Sequence, residues 1–247
     1  MLEGLPAAVD ETPRPDCAHG LAASCNELLR VQGYAILRGF LPDSHIDDLT
    51  RTLHSSRGKA GTRKLLEAPW CRNLAQLIRD DPRVRSCLSA DARAVQCTLF
   101  IKSMITNWLV PLHQDLSIPL AGRVDSPLYC GWCRKEGELF ARAPVALLQQ
   151  LLAVRLHLDD CDGRNGALRV VPGSHQGGRL SYAELLRERN VRGERLVAID
   201  RGGALLMKPL LLHASSKVTI DLPRRVLHFV FGPGHLPGGA QWPTRVL

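Results

Sequence analysis

Aromatic residues are scarce in this chain, at 5% of 247 residues. Platforms that stack single-stranded bases need aromatic faces interleaved with cations. Here the cations are dispersed, as in Arg51, Arg57, Arg63, Lys64, Arg72 and Arg79, then Arg187, Arg189, Arg192 and Arg195. Nucleic acid is therefore not an expected partner. Long apolar runs are lacking too, and none approaches the roughly 20 residues that cross a bilayer, so no membrane span is expected. The N-terminal MLEGLPAAVDETPRPD has neither the charged n-region nor the apolar h-region of a signal peptide. The expected location is a reducing cytoplasm. The eight cysteines fall at irregular spacings, several inside apolar runs, which suits buried thiols better than a disulfide framework. Cys130-Gly131-Trp132-Cys133 has redox-motif spacing but no thioredoxin-like pattern around it, and reads as loop cysteines. Internal repeats and low-complexity tracts are absent. Acidic charge is in deficit, with 24 Asp and Glu against 32 Lys and Arg, a formal net charge of +8. That balance fits solvated helix faces, and it also fits anionic small molecules.

What is present is an ordinary globular balance, 45% hydrophobic and 23% charged, in a length that one large domain can fill. Residues 1–20 read as a loose arm. The expected order continues with a helix over 25–31, a glycine-bounded strand over 33–40, a helix from Pro42, and a polar loop at 55–62. Two helices follow over 70–79 and 81–88. Strands are predicted at 95–104, 107–115 and 116–120. Residues 121–144 carry no clear periodicity and read as a long insert able to cover a site. A helix at 145–152 precedes a strand at 153–159, a turn at 160–165, and its partner strand at 166–171. A helix over 181–189, strands at 194–200, 204–208, around His213 and at 224–231, and a loop-like tail complete the chain. The fold class is mainly β with flanking helices (α+β), a barrel or double-sheet jelly roll. One domain over 1–247 is expected, with a helical layer in 1–94, a sheet core in 95–232 holding the insert, and a tail in 233–247.

The stretch with chemistry is Pro111-Leu112-His113-Gln114-Asp115. On a strand, residues two apart share a face, so His113 and Asp115 point the same way. An imidazole and a carboxylate side by side are two ligands of a 2-His-1-carboxylate iron site. His213, far along the chain at another strand end, supplies a third. Arg224 opens an apolar strand and needs an anionic partner if buried, and a carboxylate suits its planar fork. Ser215 and Ser216 stand between His213 and Arg224. Arg155 and His157 share a face of their strand and line the interior if that face turns inward. Trp108 suits core packing and pocket lining equally, and Trp132 in the insert is placed to close over a substrate.

Taken together, Phe100-Ile101-Lys102, Asn107-Trp108 through Asp115, Asn165 through His175, and His213-Ala214-Ser215 with Arg224 resemble the phytanoyl-CoA dioxygenase family. The resemblance implies a double-stranded β-helix (a cupin-like jelly roll), Fe(II), and 2-oxoglutarate with O₂ as co-substrates. It implies that His113, Asp115 and His213 ligate the metal. It gives Arg224 the distal carboxylate of 2-oxoglutarate, with Ser215 beside it, and sets Lys102 and Gln114 on the co-substrate side. Arg155 falls where some members carry a Trp near 2-oxoglutarate. The activity implied is hydroxylation of an aliphatic C–H in a small metabolite, able to carry a negative group, with release of succinate and CO₂. Asp115 disfavours the halogenating variant, which gives up that ligand. The competing reading is a metal-binding barrel without turnover, serving as a sensor or binding protein.

Overall fold

A computed structural model describes residues 24–53 and 61–243. The expected arm at 1–20 and most of the loop at 55–62 lie outside them. In chain order the elements are α1 (Cys25–Val31), β1 (Tyr34–Leu37), α2 (Asp43–Leu53), β2 (Gly61–Thr62), α3 (Pro69–Asp80), α4 (Pro82–Arg85), β3 (Arg93–Lys102), β4 (Val110–His113), β5 (Ser117–Leu120), β6 (Cys130–Lys135), β7 (Glu138–Arg142), α5 (Val145–Leu148), β8 (Leu152–His157), β9 (Leu168–Val170), α6 (Tyr182–Arg192), β10 (Arg195–Val197), β11 (Ala204–Met207), β12 (His213–Ser215) and β13 (Arg224–Gly232). No helix among the described residues is long and apolar enough to cross a membrane.

The helices follow from local signals. Pro69 starts α3, where its missing N–H costs nothing, and Cys71, Leu74, Ala75 and Ile78 recur at helical spacing on the buried face. Ser181 and Glu184 form a reciprocal capping box that starts α6. That helix buries none of its residues and lies on the surface.

Two sheets face each other. The larger runs β1-β11-β8-β13-β3-β2 and the smaller β10-β9-β12-β4. All their pairings are antiparallel. Tyr34, Ile36, Ala153, Leu205 and Met207 of the first pack against Leu168, Val170 and Val197 of the second. This is the jelly-roll arrangement of a double-stranded β-helix, open rather than closed at its edges. Period-two alternation on β13 sends Leu227, Phe229 and Phe231 to the outer face, where they join Ile46, Leu74 and Ile78 of the helical layer. Each such buried side chain contributes roughly 1.5–3 kcal/mol. The alternate residues Arg224, His228 and Val230 face inward, onto a cavity.

Three expectations are corrected. The stretch 121–144 is no unstructured insert: β6 and β7 form a hairpin that joins β5 in a third sheet. Its turn, Glu136-Gly137, has φ of 53° and 83°, the two positive values a two-residue turn needs. Glutamate is not a usual residue there, so the turn signal was weak. Cys130 and Cys133 consequently sit on a strand, exposed and unbridged, rather than in a loop. Second, β9 does not pair with β8 across the 160–165 turn. It crosses to the smaller sheet, between β10 and β12. Third, the tail is folded onto the body. Trp242 is buried and its Nε1 donates to Pro233 O at 2.8 Å, while Ala121 N donates to Gln241 O at 2.9 Å.

Candidate active site

β4 and β12 are adjacent, and His113 pairs directly with His213 across them. The two imidazole centroids are 4.2 Å apart. Asp115, just past the end of β4, is fixed by its backbone N–H donating to Pro209 O at 2.9 Å. Its carboxylate reaches both rings: Oδ1 is 3.7 Å from His113 Nε2, and Oδ2 is 3.7 Å from His213 Nε2. One potential ligand atom from each of the three residues lies within 4.8 Å of the others.

The tautomers are set by the backbone. His113 Nδ1 contacts Pro111 O at 2.8 Å, and His213 Nδ1 contacts Leu211 O at 2.9 Å. A carbonyl only accepts, so each Nδ1 carries a hydrogen, which makes Nε2 the lone-pair atom of the neutral ring. Such a second hydrogen bond is the usual support of a metal-bound imidazole. Burial is the main reason the His213 pKa is pulled down to about 4, partly opposed by Asp115. Burial alone would raise the Asp115 carboxyl; His213, His228, His113 and Arg155 outweigh it and hold the group below the usual range. Two neutral imidazoles and one carboxylate are a donor set that fits iron(II) with positions left open.

The trio opens on a cavity of about 300 Å³ between the sheets. From β13, Arg224 and His228 line it; from β3 come Gln96, Thr98 and Phe100. Arg155 of β8, Ser215 of β12, Ser117 of β5, Phe140 of β7, and Trp108, Arg63 and Lys135 near the ends of their elements complete its polar and aromatic lining. Among the described residues Asp115 is the one acid on that wall. Arg224 is buried, and its Nε and Nη1 have no hydrogen-bond partner among the described residues. Burial lowers its pKa, while the neighbouring Cys161 thiol opposes the shift. A guanidinium retains its proton at any ordinary pH, so these donors are an unmet demand for an anion. A carboxylate such as the far end of 2-oxoglutarate satisfies it. Arg225 is different: it points away and is held bidentately by Asp159, at 2.8 and 2.5 Å.

Ser215 is on the cavity wall with its hydroxyl committed. It donates to Gly166 O at 2.9 Å and accepts from Lys102 Nζ at 2.8 Å. Lys102 is fully buried, with a second bond to Ser216 O at 2.7 Å and its ammonium 5.2 Å from the Trp108 ring centroid. It does not line the cavity; it stands behind Arg224, its cross-strand partner. Burial and the Arg224 charge lower its pKa to about 8.

Gln114 is not on the co-substrate side. Its amide donates to Gly178 O and Leu210 O, each at 2.7 Å, and accepts from Leu180 N at 3.0 Å. The alternation that aligns His113 with Asp115 sends the residue between them to the opposite face. Trp132 is also elsewhere: it packs near Tyr129 and Arg123, beside a separate surface pocket. His157 is buried next to the cavity without lining it, and burial, Arg155 and Arg224 push its pKa well down. Trp108 and Arg155 are on the wall. Sequence reasoning missed Lys135, for which no local signal exists; the resemblance offers Arg63 or Lys64 as a basic residue near the co-substrate, and of the two Arg63 is on the wall. It also passed over Gln96, Thr98 and Phe100, whose period-two spacing below Lys102 could have been followed.

The sequence model of the family described as Phytanoyl-CoA dioxygenase (PhyH) matches residues 29–226. No curated protein matches the sequence. Among solved structures, HygX from Streptomyces hygroscopicus with nickel and 2-oxoglutarate bound is 17% identical with a TM-score of 0.59, over 85% of this chain and 86% of that one. The non-heme alpha ketoglutarate dependent carbocyclase SnoK from nogalamycin biosynthesis is 15% identical with a TM-score of 0.63, over 89% and 85%. EctD from S. alaskensis in its apoform is 16% identical with a TM-score of 0.63, over 83% and 75%. At such identities the likeness is one of fold.

Proposed function

The chain belongs to the phytanoyl-CoA dioxygenase family and is a non-haem iron, 2-oxoglutarate-dependent oxygenase, and from that premise we propose that His113, Asp115 and His213 hold the iron(II) and Arg224 holds 2-oxoglutarate. The observation that carries the assignment is that two free Nε2 lone pairs and one carboxylate converge on a cavity whose wall presents the unpaired Nε and Nη1 of Arg224.

The iron, when bound with 2-oxoglutarate and O₂, supplies the oxidising chemistry that releases succinate and CO₂. The chain supplies geometry. His113 and His213 present neutral Nε2 atoms because their Nδ1–H groups are fixed on Pro111 and Leu211. Asp115 offers the charge. Arg224 fixes the far carboxylate of the keto acid, and Lys102 adds a buried positive charge behind it while orienting Ser215. Ser215 can donate to that carboxylate only by turning its hydroxyl from Gly166 O. Phe100, Val230, Leu151 and Trp108 give the remaining wall an apolar character that limits water near the reacting carbon.

The substrate in this reading is a small metabolite with an anionic group, hydroxylated at an aliphatic C–H. Lys135, Arg155 and Arg224, on a wall with one acid among the described residues and with Arg63 already paired to Glu136, support the sign of that charge. Seven unbridged cysteines among the described residues suit a reducing cytoplasm. Pairing of surface arginines with acids, as in Arg164 with Asp162 and Arg192 with Glu188, argues against a nucleic-acid partner.

The test is anaerobic addition of Fe(II) and 2-oxoglutarate, read as the visible band of an iron-chelated keto acid, followed by succinate analysis in air. The band and succinate are expected from the wild type and not from Asp115→Ala. A wild type that forms no band and no succinate sinks the assignment.

A further inference from the structure

Arg155 is a buried cation with no salt bridge among the described residues; the one acid whose charge favours it is Asp115, which lies against the two histidines. It lies in the middle of β8, paired through its backbone with Leu205 on one side and His228 on the other, so its side chain starts from the rigid centre of the larger sheet. It is 6% exposed, and what remains exposed faces the cavity. Its side chain makes one hydrogen bond among the described residues, from Nη1 to His228 Nδ1 at 3.2 Å. Its guanidinium carbon is 5.5 Å from the Phe100 ring centroid. Its Nε is buried with no partner.

These contacts hold the guanidinium in place and leave its charge unanswered. His228 accepts through Nδ1, so it serves as a neutral imidazole, and burial favours that form. A cation–π contact and a neutral acceptor together do not offset the desolvation of a guanidinium. The single acid on the wall among the described residues, Asp115, is already engaged with His113 and His213.

The demand for charge can be followed through the proposed complex, on which this inference rests. A divalent metal with Asp115 leaves one positive charge. The carboxylate of 2-oxoglutarate nearest its keto group cancels that charge, and the far carboxylate answers Arg224. Arg155 is then the buried wall cation with no acid of its own; Arg63 is paired with Glu136, Lys135 is only half-buried, and Lys102 lies off the wall on Ser215 and Ser216. We propose that Arg155 anchors a substrate subsite for a carboxylate, so that the substrate arrives with an anionic group docked on Arg155 while its C–H bonds face the metal trio. His228 and Phe100 are positioning residues for this anchor: one accepts from Nη1, and the other covers a face of the guanidinium.

The experiment uses the full chain loaded with Ni(II) and 2-oxoglutarate. Straight-chain and aromatic monocarboxylates, from acetate to octanoate with benzoate and phenylacetate, are titrated beside their neutral amides by calorimetry. At least one carboxylate is expected to bind tenfold or more tightly than its amide. In Arg155→Gln that preference should fall to within threefold, while the 2-oxoglutarate Kd stays within threefold of wild type; Arg155→Lys should keep part of the preference. Thermal melting and retained Ni(II) binding show that the variant is folded. No carboxylate preferred over its amide, in protein that does load, overturns the inference. An Arg155→Gln variant that loses 2-oxoglutarate and keeps its carboxylate preference also overturns it, and assigns Arg155 to the co-substrate. Wild type that fails to take up Ni(II) and 2-oxoglutarate instead sinks the underlying reading of the site.

Discussion

His113 stands directly opposite His213 across the β4–β12 pair, with their ring centroids 4.2 Å apart. Two ligands from remote parts of the chain are thus fixed by strand pairing rather than by loops. Each ring is turned by a bond to a carbonyl two residues earlier, so the site is organised by local backbone geometry. His113→Ala and Asp115→Ala remove ligands from the surface of a sheet whose backbone bonds persist. Both variants should fold, with unchanged far-ultraviolet circular dichroism. Their Ni(II) affinity should fall at least about 100-fold, the upper range for losing even an outer support of a metal ligand. Wild-type metal affinity in either variant would remove these residues from the ligand set.

Arg224 and Arg225 are neighbours with opposite surroundings, which makes them a natural pair of substitutions. Arg224→Ala removes the charged donors that the far carboxylate needs. A hydrogen bond to a charged group contributes about 1.5–3 kcal/mol, which corresponds to a rise in 2-oxoglutarate Kd of roughly tenfold to a hundredfold. Arg225→Ala breaks the partly buried bond to Asp159. It should cost about 1–2 kcal/mol in urea unfolding, with the Kd nearly unchanged. The reverse pattern would place the carboxylate clamp on Arg225.

Lys102 predicts a pH dependence. Its pKa in the fold is about 8, lowered from 10.5 mainly by burial and then by Arg224. Below that value it is charged and adds to the field behind Arg224. As pH rises through about 8 the charge is lost, so 2-oxoglutarate affinity should weaken on the alkaline side; bound ligand shifts the midpoint upward. For stability the sign is opposite. The unfolded chain keeps the proton up to about 10.5, so the folded state is relieved of a buried charge between these values and Lys102's contribution rises with pH. Lys102→Met should bind 2-oxoglutarate more weakly at pH 7 and lose the affinity change near pH 8. An unchanged pH profile in Lys102→Met would exclude Lys102 as its source.

The elements that position the trio were legible because they carry local signals. Alternation marked β8, short apolar runs marked β11 and β13, and caps and prolines marked α3 and α6. Alternation also places His113 with Asp115 and turns Gln114 away from them, so the Gln114 assignment followed the family resemblance against the strand geometry. Partner choice was not legible: β9 leaves the strand before it and joins β10 and β12, a decision made by the inward side chains Leu168 and Val170 packing against the opposing sheet. The β6–β7 hairpin was hidden by its Glu-Gly turn and by the bulge between Cys130 and Cys133. Lys135 reaches the cavity from the end of β6 in that hairpin, and Arg63 from the end of β2 at the edge of the larger sheet.

Glu136 ties β2 to this hairpin. Its carboxylate accepts from the Arg63 backbone N–H at 2.9 Å, from Arg63 Nη1 at 2.6 Å, and from the Thr62 hydroxyl at 3.3 Å. Burial alone would raise the Glu136 carboxyl, but the Arg63 contacts outweigh it and lower the pKa below 4.5. The tie is therefore complete at neutral pH and lost as pH falls through that lowered value. Glu136 is also the one non-glycine with positive φ among the described residues, at 53°. Glu136→Gly separates the two effects. It should relieve about 1–2 kcal/mol of backbone strain at the turn while deleting the carboxylate. Hydrogen exchange at the Arg63 amide should then accelerate at least tenfold at pH 7 even if the protein as a whole melts no lower, because that N–H loses its acceptor. Glu136→Ala, which keeps the strain and loses the carboxylate, should show the same acceleration with a lower melting temperature than Glu136→Gly. An Arg63 amide that exchanges at the wild-type rate in both variants would mean that the backbone, and not this carboxylate, holds β2 over the cavity.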